Sequence, residues 1–348
     1  MKEFKAGNCI LAAVGLIVSA AQCDAQSVGA QNFFKDRQIN FYIGAATGAA
    51  YDLVGRAVAT HIGSHIPGSP QIVVQNMPGA GSLIMINNLY NRAPRDGTAM
   101  GLPLNGVLLE QRLKLYEGGG GSVRFDLDKM SWIGSPSEQP QVLWAWHTSP
   151  FRSFDDARRE TMTLGATSPT ADNYFTPKLA ENLLGGKFHL ISGYKAVQDI
   201  FLAAERGEVQ GNSTPLSGIM LGRADDFRAG KIRVLAQFGV SRLPELPDIP
   251  TGIELATDDE SRALLGIWAM KFRAAYPIAL PPDVPKDRVA TLQGAFDTLM
   301  KDKKFREFSQ KAGLELSPVA GPEIQEIIRS INAVSEDKVA KLREALSN

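Results

Sequence analysis

Residues 41–98 read FYIGAATGAAYDLVGRAVATHIGSHIPGSPQIVVQNMPGAGSLIMINNLYNRAPRDGT. Two short apolar runs in this segment, 41–43 and 71–74, have the length and composition of buried strands. Each run is followed by a glycine-bearing loop and then by apolar residues at helical spacing. This repeated order of strand, loop and helix predicts a parallel sheet with two helix N-termini at the same edge.

The two glycine-bearing loops predict a binding site for a small anion. Small side chains leave the backbone N–H groups of the loops accessible, and the positive end of a helix dipole follows each loop. Ser82, which follows the second loop, is a candidate N-cap for the second helix. One helix end stabilises an anion by about 0.3–1 kcal/mol, whereas micromolar binding needs about 8 kcal/mol. A second part of the chain must therefore add contacts, and closure around the ligand is expected to be part of binding.

Length and composition predict a folded protein of about two domains. The chain has 348 residues, of which 44% are apolar and 21% are charged. Lys plus Arg and Asp plus Glu balance at 37 each. This balance argues against a nucleic-acid-binding protein and against a polybasic membrane surface.

Residues 1–25 predict a secretory signal peptide. Two lysines precede an apolar run at 10–21, which is too short to span a bilayer, and small residues precede a cleavage site after Ala25. Lipidation of Cys23 is the less favoured alternative. The only other cysteine is Cys9, so cleavage leaves a mature chain without cysteines that must be held together by its core.

A second α/β unit begins near Ser153. Its predicted strands are 162–165, 188–191, 209–213 and 232–238, and its predicted helices begin at 154, 174 and 196. Segments 142–146 and 267–272 are candidates for the two crossings between the units. Two α/β lobes joined by two crossings form a cleft, with the loops of both lobes facing it. The predicted boundaries are 36–143 with 268–348 for lobe one and 144–267 for lobe two.

Other segments receive simpler predictions. Gly118–Gly121 predicts a flexible surface loop, because no Lys-Ser or Lys-Thr pair follows it as in a phosphate-binding loop. Residues 243–250 contain several prolines and are expected to be irregular. Helices are predicted at 289–301, 304–312 and 323–346.

The segment at 44–98 resembles the substrate-binding proteins of tripartite tricarboxylate transporters. In that family a glycine-rich loop precedes an Asp and an Ala-Arg pair, and a Pro-Gly-Ala-Gly loop and a Pro-Asp-Gly-Thr turn follow. The resemblance rests here on GAATGAAYD, PGAG and APRDGT, and continues through TLGATSPTADNY, ISGYKAVQDIFLAAERGEVQG, GKIRVLAQFGVSR and LPDIPTGIE. It therefore covers nearly the whole mature chain.

The resemblance implies a periplasmic α/β protein with the two-lobed, Venus-flytrap fold of periplasmic binding proteins, each lobe a mainly parallel sheet flanked by helices. Such a receptor captures a small organic carboxylate between its lobes and delivers it to membrane permease subunits. In relatives, loop backbone groups and ordered water hold the ligand carboxylate. The resemblance implies no cofactor, no bound metal, no nucleic-acid partner and no enzymatic activity, and we expect a monomer.

Candidate ligand-binding residues follow from the family motifs and from polar loop residues near predicted strand ends. They are Thr47, Gly48, Ala49, Ala50, Tyr51, Asp52, Gly79, Ala80, Gly81, Ser82, Asn105, Ser168, Thr170, Asn173, Ser213 and Thr214. Gln139 lies near another predicted strand end and is a further candidate.

Several of these residues have a structural alternative. We expect Asp52 to be the N-cap of the first helix rather than a ligand contact, because a carboxylate repels an anion unless N–H groups occupy it. Tyr51 is either a gate or a packing residue. Arg56, one turn into the helix, is expected to be an ion-pair partner. His61 and His65 have the spacing of metal ligands, but no third ligand lies nearby in the sequence, so no metal site is predicted.

The chain departs from the family pattern in one loop, and two other functions stay open. Close relatives have glycines where Ala49 and Ala50 stand, so a positive φ at either position would strain this loop. A ligand-presenting component of a carboxylate sensor and an enzyme acting on a carboxylate are the alternative functions. The chain lacks the nucleophile-elbow, Walker A and dinucleotide motifs of common enzyme classes, so no catalytic residue is predicted.

Overall fold

The computed structural model describes residues 33–115 and 122–347. The predicted signal peptide at 1–25 and the glycine run at 118–121 lie outside these residues. None of the described helices is both long enough and apolar enough to cross a membrane.

The described residues form two α/β units. The strands are β1 Gln38–Ile43, β2 Gln71–Asn76, β3 Ala99–Leu102, β4 Ser131–Ser135, β5 Gln141–Trp146, β6 Met162–Ala166, β7 Phe188–Ser192, β8 Gly211–Pro215, β9 Ile232–Phe238, β10 Ile278–Leu280 and β11 Val319–Ala320. The helices are α1 Ala50–Ile62, α2 Leu83–Asn91, α3 Val107–Leu113, α4 Phe154–Arg159, α5 Asp172–Leu184, α6 Val197–Glu205, α7 Leu216–Arg228, α8 Gly252–Leu255, α9 Asp259–Met270, α10 Lys286–Lys301, α11 Lys303–Lys311, α12 Gly321–Asn332 and α13 Glu336–Ser347.

The first sheet has the strand order β11-β4-β10-β3-β1-β2. β1 pairs in parallel with β2 and with β3, which confirms the strand-loop-helix order predicted for 41–98. β10 runs antiparallel to both of its neighbours, so β4 has the same direction as β3. The carboxyl ends of β1 to β4 therefore lie at one edge, which we call the loop edge of this sheet.

The second sheet has the strand order β7-β6-β8-β5-β9. β6 pairs in parallel with β7 and β8, and β5 runs antiparallel to β8 and β9. The carboxyl ends of β6 to β9 thus share one edge, the loop edge of the second sheet. The two-lobed α/β class is confirmed, and both sheets are mixed.

Residues 136–140 carry the chain from the first sheet to the second. They leave from the carboxyl end of β4 and enter the amino end of β5, which lies beside the carboxyl end of β8. Because both ends of this short crossing are at loop edges, the two loop edges face each other. The prediction that 142–146 is the crossing is wrong, since these residues belong to β5 inside the second sheet.

The return crossing is helical. It consists of the end of α9, a 3₁₀ turn at Lys271–Ala274 and the residues that lead into β10. The two crossings are hydrogen-bonded to each other, from Gln139 N to Phe272 O at 2.8 Å and from Ala275 N to Ser137 O at 3.2 Å. The crossings therefore form one paired hinge segment. The lobe boundaries, 36–143 with 268–348 and 144–267, stay predictions.

The largest buried cluster contains residues from both units, among them Trp132, Leu143, Phe175, Trp268 and Leu342. On this side of the molecule α13 packs against α5, and Asn182 Nδ2 donates to Ala345 O at 2.8 Å. The prediction of one helix at 323–346 is wrong, because α12 ends at Asn332 and α13 begins at Glu336.

Candidate functional site

The loop between β1 and α1 begins the candidate site. The N-cap of α1 is Ala49, which has extended φ and ψ and provides no side-chain cap. Gly48 has a φ of +83°, whereas Ala49 has a φ of −71° and Ala50 is helical. The two alanines are therefore unstrained, so the strain that we considered for them is absent. Residues 46–50, which include Thr47, are exposed, so the uncapped helix end faces solvent.

Asp52 is not the N-cap of α1, because it lies inside the first turn. Its buried carboxylate accepts hydrogen bonds from Gly48 N, Arg56 Nε and Asn76 Nδ2, each at 2.8 Å. Burial raises the pKa of Asp52, but these donors outweigh burial and hold the pKa below its usual value. Three partners occupy the carboxylate, so its role is to hold the loop in place. Arg56 pairs with Asp52, which confirms the expected ion pair.

The loop between β2 and α2 has an unusual backbone. Four successive residues have positive φ values: Gly79 at +129°, Ala80 at +47°, Gly81 at +61° and Ser82 at +76°. An L-residue in this region costs about 1–2 kcal/mol, and such strain concentrates at ligand-binding loops. Of these four residues, Ala80 and Ser82 carry a Cβ, so the backbone strain lies in the second loop rather than in the first.

Ser82 occupies the N-cap position of α2 as predicted, but its hydroxyl does not cap the helix. The buried Oγ donates to Gly44 O at 2.8 Å and accepts from Leu104 N at 3.0 Å. One side chain thus connects the loops that follow β1, β2 and β3. This contact keeps three loops of the first sheet in a fixed arrangement.

Tyr51 is half-buried and makes packing and hydrogen-bonding contacts. Its hydroxyl donates to Ala275 O at 2.7 Å and accepts from Asn105 N at 3.1 Å. Its ring packs edge-to-face against Tyr276, with the ring centres 4.8 Å apart. The hydroxyl of Tyr276 bonds Gln139 Oε1 at 3.2 Å, and burial raises the pKa of this tyrosine. Tyr51 therefore ties α1 to the hinge.

Asn105 provides an amide at the loop edge of the first sheet. The residue is 8% exposed, and among the described residues no hydrogen bond to its side-chain amide is found. Its backbone position is fixed by the hydroxyl of Tyr51. Asn105 is thus a fixed polar group that is able to bond a ligand oxygen.

The loop between β6 and α5 is the counterpart in the second sheet. Ser168 Oγ and Thr170 Oγ1 lie 2.8 Å apart, and Asn173 Oδ1 accepts from Thr167 N and Thr167 Oγ1 at 3.2 Å each. The N-cap of α5 is Ala171, which again provides no side-chain cap. These contacts order the loop and leave a helix end without a capping side chain at the second loop edge.

Ser213 and Thr214 lie near the carboxyl end of β8. Ser213 is opposite Leu143 and Thr214 is opposite Val142 on β5, so the two side chains point to opposite faces of the sheet. Ser213 Oγ is fully buried and has no hydrogen-bond partner among the described residues. A ligand that lies on one face of the sheet can therefore contact only one of these two side chains.

Lys271 is not among the residues that the sequence predicts for the site. Its side chain is 2% exposed, and its Nζ donates to Asp172 Oδ1 at 2.5 Å. The Nζ also lies 3.3 Å from the ring centre of Trp268. Burial lowers the pKa of Lys271, and the carboxylates of Asp172 and Glu110 oppose this effect. The only sequence signal was a lysine within the apolar run IWAMKF.

The hinge brings the two uncapped helix ends together. Tyr51 at the start of α1 bonds Ala275, and Asp172 at the start of α5 bonds Lys271, so both helices contact one five-residue segment. A cavity of about 260 Å³ lies beside the hinge segment. Its lining includes Gln139 from the outgoing crossing and Ser217 after β8. Of the candidate residues only Gln139 lines this cavity, so the loops at 47–52, 79–82 and 168–173 lie outside it.

No metal centre is found among the described residues, since no three His, Cys, Asp or Glu side chains cluster there. His61 Nδ1 lies 2.8 Å from Ala57 O, and His65 lies 3.8 Å from Asp302. Each of the two histidines thus contacts a protein group, His61 a backbone carbonyl and His65 a carboxylate.

Solved structures with the same architecture come from periplasmic solute receptors. A TctC solute-binding protein from Polaromonas, solved without ligand, superimposes with a TM-score of 0.66 at 15% identity, over 88% of this chain and 99% of its own. The chain has the fold of the TctC and Bug solute-binding proteins. The resemblance inferred from the motifs is thereby confirmed.

Two further structures with the TctC/Bug fold contain carboxylates. An R. palustris protein solved with adipate gives a TM-score of 0.62 at 18% identity, over 89% of this chain and 98% of its own. MatC from Rhodopseudomonas palustris with bound malate gives 0.58 at 17% identity, over 90% of this chain and 100% of its own.

The sequence comparisons give one distant relative. A curated UPF0065 protein from the tcbD-tcbE intergenic region of a Pseudomonas species is 24% identical over 265 residues, which are 71% of this chain and 70% of the relative. No protein-family model matches the chain.

Proposed function

We propose that this protein is a periplasmic receptor that binds a small organic carboxylate in the crevice between its two sheets. The contact of α1 and α5 with one hinge segment carries the proposal. Tyr51 and Asp172 bond residues that are only four positions apart, so two helix ends without side-chain caps lie at the same hinge segment. A carboxylate between them would gain from both helix dipoles.

The ligand contacts in this proposal come from both loop edges. From the first sheet they are the exposed loop at 47–52, the loop at 79–82 and the amide of Asn105; from the second they are residues in 168–173 and 213–214. Adipate and malate in two structures with the same fold support a small dicarboxylate as the ligand class. Tyr51 and Asp52 then act mainly by holding the first loop.

Transport is the proposed biological role. Residues 1–25 direct the chain to the periplasm, and a closed, ligand-bound form delivers the carboxylate to membrane permease subunits. We propose that the protein acts as a monomer without a cofactor and that it releases its ligand unchanged. Recovery of an unaltered ligand after prolonged incubation tests the last point, and chemical conversion would instead indicate an enzyme.

A thermal-unfolding screen of the mature chain from Gln26 tests the binding function. The ligands are acetate, malate, adipate, citrate and benzoate, each compared with its uncharged amide. A ligand at 100 times its Kd adds about 2.7 kcal/mol to the free energy of unfolding, which shifts Tm measurably. We expect a shift for at least one carboxylate and none for the matching amide. A folded protein whose Tm responds to none of the five acids would overturn the proposal.

A further inference from the structure

Lys271 is a buried cation at the point where the return crossing meets α5. Its side chain is 2% exposed, while that of Asp172, its partner, is 27% exposed. The ammonium lies against the rings of Trp268 and Phe272, whose centres are 3.3 and 5.0 Å from Nζ. Trp268 Nε1 also lies 3.4 Å from Thr176 Oγ1 on α5. Lys271 and the end of α9 thus contact the N-terminal part of α5 at two places.

The position of Asp172 creates an electrostatic problem for an anion-binding crevice. Asp172 is the first residue of α5, directly after the uncapped Ala171. A carboxylate there interacts favourably with the helix dipole and so competes with a ligand anion for the same N–H groups. Because like charges repel, an uncompensated Asp172 would also weaken the binding of each negative charge on the ligand.

We propose that Lys271 sets the charge selectivity of the crevice by neutralising Asp172 and drawing its carboxylate away from the end of α5 toward the hinge. The ammonium packs against two rings and bonds Oδ1 of Asp172 directly, so the carboxylate is held on the hinge side. The N–H groups of the first turn are then available to the ligand. Lys271 acts on the ligand through Asp172, and this inference rests on the proposed carboxylate-binding function.

The test uses the mature full-length protein and calorimetric Kd values for malate, adipate and their monoamides. The variants are Lys271→Met, which keeps an unbranched chain against the rings, Asp172→Asn, and the double variant. Lys178→Met is the matched control, because Lys178 pairs with Glu181 farther along the same helix. Thermal unfolding of each variant reports stability separately from affinity.

We expect Lys271→Met to weaken dicarboxylate binding at least tenfold and monoamide binding by less, since the monoamide carries one negative charge fewer. Adding Asp172→Asn should restore most of the affinity, and Lys178→Met should change it less than twofold. Lys271→Met alone leaves Asp172 without its partner, whereas the double variant removes both charges of the pair. If Lys271→Met fails to fold for that reason, the double variant still has to bind dicarboxylates with a Kd within about threefold of wild type.

Three results would overturn the inference. Lys271→Met with wild-type affinity would do so while leaving the proposed function intact. Equal losses for the dicarboxylate and its monoamide, not reversed by Asp172→Asn, would show a purely structural role. A wild-type protein that binds no carboxylate of the screen would overturn the proposed function and this inference together.

Discussion

The hydroxyl of Tyr51 donates a hydrogen bond to the carbonyl oxygen of Ala275 at 2.7 Å, across 224 residues of sequence. The same hydroxyl accepts a hydrogen bond from Asn105 N. One phenol therefore connects the start of α1, the loop after β3 and the return crossing. Tyr51 directly follows the first glycine-bearing loop, so this contact joins that loop to the hinge segment.

Tyr51→Phe tests this connection. The variant keeps the ring against Tyr276 but leaves Asn105 N and Ala275 O without their partner, and an unsatisfied buried group costs about 1–3 kcal/mol. We expect the free energy of unfolding, measured in urea, to fall by about that amount and carboxylate affinity to fall with it. Tyr90→Phe is the control, because no hydrogen bond to the Tyr90 hydroxyl is found among the described residues, and it should change stability by less than about 0.5 kcal/mol. Equal stabilities of the two variants would contradict the assignment.

Ser82 gives a second prediction, because hydroxyl loss and backbone strain can be separated there. Ser82→Ala removes the bonds to Gly44 O and Leu104 N and keeps a Cβ at a φ of +76°. Ser82→Gly removes the same bonds but relieves about 1 kcal/mol of strain. We expect both variants to bind the carboxylate more weakly, and the glycine variant to be the more stable by about 1 kcal/mol in urea unfolding. Wild-type affinity in both would show that the loops do not depend on this hydroxyl.

Asp52→Asn gives a third prediction, with a defined pH dependence. The native pKa of Asp52 lies below its usual value of 3.8, so its contribution is present above that value and is lost as pH falls through the native pKa. Hydrogen bonds to a charged group contribute about 1.5–3 kcal/mol each, so we expect a loss of at least about 2 kcal/mol at pH 7. The difference from wild type should shrink below pH 4 in urea unfolding. Asp225→Asn, at a fully exposed side chain, should show no such trend.

Local sequence signals were sufficient for most of the fold. The strands at 41–43, 71–74, 162–165, 188–191 and 232–238 form because short apolar runs bounded by glycine and polar residues have few alternatives to a buried strand. One local signal was overlooked. Ser335 precedes Glu336 and Asp337, a typical helix start, and this explains why the helix predicted at 323–346 is interrupted.

The arrangement of the candidate site depends on contacts that no local pattern encodes. Ser82 looks like an ordinary N-cap, yet its hydroxyl bonds residues 38 positions before and 22 positions after it. Lys271 bonds a residue 99 positions away and has no periodic or motif signal. The residue type of Asp52 predicts an N-cap. Asp52 instead lies in the first turn of α1, where its carboxylate bonds Gly48 N and Arg56 Nε. Only the packed fold brings these groups together.

Glu254 gives a fourth prediction, at the loop that connects β9 with α8. Its carboxylate accepts from Thr251 N at 2.8 Å and from Arg242 Nε at 2.9 Å, while Thr251 Oγ1 accepts from Glu254 N. The hydrogen bond from Arg242, followed by that from the backbone of Thr251, lowers the pKa of Glu254 from 4.5 to about 2. Because the native pKa is depressed, the contribution is complete above about pH 5 and is lost as pH falls toward 2.

Glu254→Gln should therefore lower stability at pH 7, by about 1 kcal/mol or less. The side chain is 45% exposed, so solvent screens the ion pair and most of the expected loss comes from the helix cap. In urea unfolding the difference between wild type and variant should fall by about half or more between pH 5 and pH 3. Glu326→Gln, which removes an exposed pair with Arg329 on α12, is the control and should have little effect at either pH. A difference for Glu254→Gln that stays constant from pH 7 to pH 3 would show that the loop is held by packing, without a contribution from this charge.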